Sequence, residues 1–128
     1  MRALIKEQPT AGSKLRAVVR FFETYVDSPI IQGGCPILNV AIEADDSNPA
    51  LREEAAKTLH MIQSSLMHIL ERGIQMGQLK EGIDTEFYAT LIIASLEGGI
   101  MMSKVRNSND DMKKVIRHLE MVISSLER

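Results

Sequence analysis

Apolar positions recur along this chain with the 3.6-residue period of helices, in segments separated by breaker clusters. The most apolar segment covers 84–106. Asp84 is a ready N-cap, Glu86 adds negative charge to the first turn, and Lys104 and Arg106 suit the C-terminal end. On a helical wheel its polar seam is Glu86, Thr90, Glu97 and Lys104. Phe87, Leu91, Ala94, Gly98 and Val105 fill one direction, and Tyr88, Ile92, Leu96, Gly99 and Ile100 another. A helix apolar on so many sides must be buried on several of them. The apolar run is too short for a membrane span, and Glu97 interrupts it. A second copy of the chain is expected to cover what one small domain cannot, with Gly98 and Gly99 allowing close backbone approach.

The other segments are simpler. A helix over 13–27 places Leu15, Val18, Val19, Phe22, Tyr25 and Val26 on one broad face. A short, mostly apolar helix over 35–44 has Pro36 in its first turn, and its polar Asn39 and Glu43 share a face. A long helix has Asn48 as cap and Pro49 at its first position and runs to about Met76, with Gly77 as C-cap. Its apolar arc includes Leu51, Leu59, Ile62, Leu66, Ile69 and Leu70, with Gln63 inside the arc and His60 and Met67 at its edge. The last helix, to about Leu126, has Ser108 and Asp111 as a capping-box pair. Its stripe is Met112, Val115, Ile116, Leu119, Val122, Ile123 and Leu126. No stretch alternates with period two, so the expected class is all-α, a five-helix bundle. Residues 1–10 read as the end of a connecting helix, and 11–128 as one domain.

Composition narrows the function. A chain of 128 residues with a net charge of −2 carries no electrostatic footprint for nucleic acid. Its single cysteine excludes an internal disulfide and fits a reducing compartment, so a cytoplasmic location is expected. Cys35 stands where a helix dipole could activate a thiol, and equally where a small buried hydrophobe would sit. His60 and His68 project roughly 80° apart on one helix, which is no chelating pair, so no metal is expected. The chain shows no nucleophile with a base and no phosphate-binding glycine loop, so neither catalysis nor a cofactor is expected.

The segment G-G-C-P-I-L-N-V-A-I-E over 33–43 follows an aromatic-bearing helix. After it come a long helix ending at Gly73 and Gly77 and an Asp-capped apolar helix with Leu96-Glu97-Gly98 at its core. This order resembles the C-terminal effector-binding and dimerisation domain of TetR-family transcriptional regulators, over nearly the whole chain. The resemblance implies a repressor's sensor half, which binds a small, largely apolar effector that lowers the DNA affinity of the full-length protein. It also implies a homodimer formed by the last two helices, and DNA contact only through a helix-turn-helix unit missing from these residues.

The candidate ligand-binding residues are Phe22, Tyr25, Asn39, His60, Gln63, Met67, Tyr88 and Ile92. Gln63 leads, because an amide amid apolar neighbours needs a partner, whether a ligand, a side chain or water. Asn39 fits either a pocket or a wet helix edge, and the aromatic and Met side chains fit either core or cavity. The candidate dimer contacts are Leu96, Gly99, Ile100, Leu119 and Ile123. The alternative function is a structural helical dimerisation domain without a ligand.

Overall fold

Thr10 and Ser13 set the start of the first long helix. The Ser13 amide donates to Thr10 Oγ1 at 3.1 Å, and the Thr10 amide donates back to Ser13 Oγ at 3.1 Å. This reciprocal box satisfies two amides that would otherwise lack partners. The helix therefore begins at Ala11, two residues ahead of the expected position.

In the structure, a computed structural model, residues 2–27 and 49–128 are described, with side chains over 3–23 and 49–128. They form α1 (Arg2–Glu7), α2 (Ala11–Asp27), α3 (Pro49–Gln75), α4 (Thr85–Arg106) and α5 (Asp110–Leu126). The chain is all-α, and the described residues include one isolated antiparallel bridge, between Leu79 and Glu127. The helix expected over 35–44 lies outside the described residues.

Two tight turns set the directions of the last three helices. At the end of α3, Gly77 takes φ +73°, and the Gln78 amide reaches back to the Gly73 carbonyl at 2.9 Å. At the end of α4, Asn107 takes φ 52°, and the Ser108 amide reaches the Ser103 carbonyl at 3.0 Å. Both are left-handed helix ends of the Schellman type, which glycine and asparagine tolerate best. The second turn also changes the capping of α5. Ser103, buried in α4, accepts the Met112 amide at 3.1 Å, while Ser108 Oγ accepts only the Asp110 amide at 3.2 Å. Asp111 lies beside Arg106, 2.9 Å from its Nε, rather than completing a box with Ser108. The cap comes from the preceding helix because the turn folds Ser103 over the first turn of α5.

Helix α2 packs against all four other described helices. Its buried Leu15, Val18 and Val19 meet Leu70 of α3, Ile92 and Leu96 of α4, and Leu119 and Ile123 of α5 in one core. The buried residues of α3 all lie in its second half, from Leu66 to Gly73. At Gly73 the start of α2 comes so close that a Cβ there would lie 2.5 Å from the Ala11 Cβ and 2.7 Å from Leu79 Cδ1. At the far end of the sequence, the Arg16 guanidinium makes a two-pronged pair with Glu127, one prong at 3.0 Å, and also donates to Ser124. That pairing holds the Glu127 carboxyl below its usual range, against a smaller opposing effect of burial.

Gly73→Ala should cost roughly 1–3 kcal/mol, because neither the Ala11 backbone nor Leu79 can yield without moving a packed neighbour. Urea denaturation of the variant measures it. The Arg16–Glu127 pair gives a pH signature. Since folding lowers the Glu127 pKa, its contribution is fully present above the ordinary glutamate range and is lost as pH falls through the folded value. The stability gap between wild type and Glu127→Gln should therefore be present at neutral pH and close on acidification, as read from denaturation midpoints across pH.

Candidate functional site

Helical spacing brings ten of the described side chains around a cavity of about 150 Å³. Ile62, Ser65, Leu66 and Ile69 form an i, i+3, i+4, i+7 stripe on α3. Ile93, Leu96 and Glu97 face them from α4, Val18 and Phe22 close the side along α2, and Ile5 of α1 completes the lining. Among the described residues the lining is apolar except for the Ser65 hydroxyl and the Glu97 carboxylate. Glu97 is half-buried, with its Oε2 enclosed. A mostly apolar cavity with few polar groups is the usual composition of a small-molecule site.

Of the candidate ligand-binding residues, Phe22 lines this cavity, and so does Leu96, expected as a dimer contact. Ile92 lies in the core, 1% exposed, and Met67 and Tyr88 pack at the core's edge. The Tyr88 ring makes an edge-to-face contact with Phe87, with centroids 5.2 Å apart. His60 is exposed, with its Nε2 3.5 Å from Ser64 Oγ. Gln63 finds its partner across the helices, its Nε2 donating to Thr90 Oγ1 at 2.9 Å, and it does not line the cavity. Asn39 and the Tyr25 side chain lie outside the described residues.

The five expected dimer contacts occupy the interior of the single chain. Leu96, Ile100, Leu119 and Ile123 are each 3% exposed or less. Gly99 is buried where a Cβ would lie 3.0 Å from Met112 Sδ and 3.2 Å from Val115 Cγ2 of α5. The large apolar side chains of α4 that face water are Phe87, Leu91, Met101, Met102 and Val105.

Sequence reasoning named Ile62 only as part of an apolar arc and passed over Ser65 and Ile93. Glu97 did carry a signal, as the one acidic residue in the middle of an otherwise apolar helix. Among the described residues no cluster of three or more His, Cys, Asp or Glu could hold a metal ion. No described helix is long and apolar enough to cross a membrane.

Because Gln63 and Thr90 satisfy each other, Gln63→Leu should cost about 0.5–1.5 kcal/mol, the net value of one hydrogen bond. Thr90→Val should cost a similar amount, and the double variant little more than either alone. Urea denaturation of the three proteins completes the cycle.

Comparison with known proteins follows the same architecture. A crystal structure of a TetR transcriptional regulator from Chloroflexus aurantiacus J-10-FL superposes with a TM-score of 0.93 at 29% identity, over 99% of this chain and 64% of that one. A TetR-family regulator from Cytophaga hutchinsonii gives 0.88 at 27% identity, over 98% and 63%. The reduced form of E. coli NemR, at 15% identity and a TM-score of 0.75 over 98% and 63%, shares the fold. The chain thus spans less than two thirds of the length of each. No curated protein matches it. The family described as tetracyclin repressor-like, C-terminal domain, matches residues 11–119, and the chain belongs to that family.

Proposed function

We propose that this chain senses a small, largely apolar effector and pairs with a second copy of itself, within a cytoplasmic TetR-like repressor whose DNA affinity the effector lowers. The double duty of α4 carries this reading. On one side its Ile93, Leu96 and Glu97 line the cavity. On the other, Phe87, Leu91, Met101, Met102 and Val105 stand exposed, Val105 by 81%. Positions 87, 91, 94, 98, 101 and 105 alternate by four and three, the spacing of a helix–helix seam. At Gly98 a Cβ would meet nothing within 4 Å in the single chain, which leaves room for a partner's backbone. Met121 of α5, 64% exposed, offers further apolar surface on the neighbouring helix.

A ligand in the cavity presses on the same helix that the second copy would cover. It can shift the arrangement only by its differential affinity for the two states. DNA contact would belong to a helix-turn-helix unit outside these residues, as the family resemblance implies. The net charge of −2 offers the phosphate backbone nothing to replace it.

Thermal melts with a panel of single-ring apolar compounds test the sensor half of the proposal. Compounds that raise the melting temperature of the wild type should lose that effect in Ile93→Phe, which fills the cavity. A wild type unmoved by every compound would leave a structural dimerisation bundle. Light scattering tests the other half: Leu91→Glu should reduce a two-chain mass to one, and an unchanged mass would remove the outer seam from the account.

A further inference from the structure

We propose that the second copy lies antiparallel to the first along α4, related to it by a two-fold axis that crosses the helix at Leu96. The inference rests on the pairing reading above and adds the direction and register of that pairing. In a two-fold interface residue i meets residue j wherever j meets i. For antiparallel copies of one helix, the contact positions must therefore be symmetric about the axis. The outer seam of α4 has that symmetry. Phe87 and Val105, Leu91 and Met101, and Ala94 and Gly98 each lie equally far from Leu96 along the chain.

Size centres the contact. Ala94 is exposed, and a Cβ at Gly98 would meet nothing within 4 Å. Two small positions at the middle let the backbones approach, and large side chains fill the space on either side, as they do where helices cross. Leu96 itself is buried in the core, 3% exposed, so the axis meets these small neighbours on the outer side.

Charge chooses the direction, since a parallel pair would also bring the small residues together. The first turn of α4 carries the exposed Glu86, and its last turn carries the exposed Lys104 and Arg106. Arg106 is held by Asp111 of α5, 2.9 Å from its Nε, and Lys104 adds a cation to the same end. A parallel copy would set Glu86 against Glu86 and Lys104 against Lys104. An antiparallel copy sets Glu86 near the partner's Lys104 and opposes the two helix dipoles. Exposed pairs of this kind add little affinity, but like charges brought together count against the wrong arrangement.

Cysteine cross-linking of the full 128-residue chain reads direction and register together. Leu91→Cys, Met101→Cys and the double variant are treated with a short thiol cross-linker, and peptide mass spectrometry names the joined residues, which tells links through Cys35 apart. Along one helix the two positions are roughly 15 Å apart, beyond the linker's reach. In the proposed dimer the same offset separates position 91 from the partner's 91, and 101 from the partner's 101. Neither single variant should therefore link to its own copy, while the double variant should join 91 of one chain to 101 of the other. A 91–91 or 101–101 link would overturn the antiparallel direction. A two-chain double variant without the 91–101 link would overturn the register at Leu96. Either result leaves the pairing itself standing, whereas a one-chain mass for the wild type in light scattering would remove the geometry together with the pairing beneath it. Should the cysteines themselves separate the chains, charge reversal decides. Glu86→Lys should raise the dissociation constant by about threefold or more, and adding Lys104→Glu should restore it. A Glu86→Lys protein that pairs as tightly as the wild type would overturn the direction.

Discussion

An apolar helix can stay in water only on the sides that something else covers, and α4 has apolar side chains in nearly every direction. Inward, Ala89, Ile92, Leu96 and Ile100 are covered by the core, and Gly99 lets α5 lie against the backbone. The outer seam is exposed in the single chain. Five large side chains, each exposed by between 38% and 81%, would gain on the order of 5 kcal/mol per chain on burial. Two copies together reach roughly 10 kcal/mol, against an association cost of about 4–15 kcal/mol. The α4 seam alone therefore sits near balance, and a stable dimer needs the apolar surface of α5 around Met121 as well. This arithmetic makes the proposed assembly sensitive to single changes on the seam.

The same constraint links the proposed dimer face to the cavity. Ile93, Leu96 and Glu97 are within a turn or two of Leu91, Ala94 and Gly98 on one rigid helix. Filling the cavity and pairing the seam would act on opposite sides of α4. Close packing resists gradual deformation, so a guest between α3 and α4 would be felt as a displacement of the whole helix. The Gln63–Thr90 hydrogen bond ties α3 to α4 beside this region.

Much of the fold was legible in the sequence because its punctuation is local. Asp84 accepts the Phe87 amide at 3.1 Å, Gly77 ends its helix in the left-handed region, and α4 closes at Arg106 as expected. The faces were harder to read. A wheel apolar all round cannot rank its sides, so Leu96, Gly99 and Ile100 looked as available to a partner as Leu91 and Val105. Leu119 and Ile123 form a core stripe whether the core belongs to one chain or two. Cavity and core residues share the same spacing, which is why Ile62 read as part of a core arc and not as cavity lining. Gln63 was legible as an amide in need of a partner, but Thr90, 27 residues away, could be joined to it only in three dimensions. The cap of α5 likewise depends on a turn that brings Ser103 back over Met112.

The central claim is that α4 is completed by a second copy of the chain. Sedimentation equilibrium of the wild type, paired with urea unfolding over a hundredfold range of protein concentration, tests it most directly. The account predicts a two-chain mass and an unfolding midpoint that rises with concentration, as mass action requires for a dimer. A one-chain mass with a midpoint independent of concentration would contradict it.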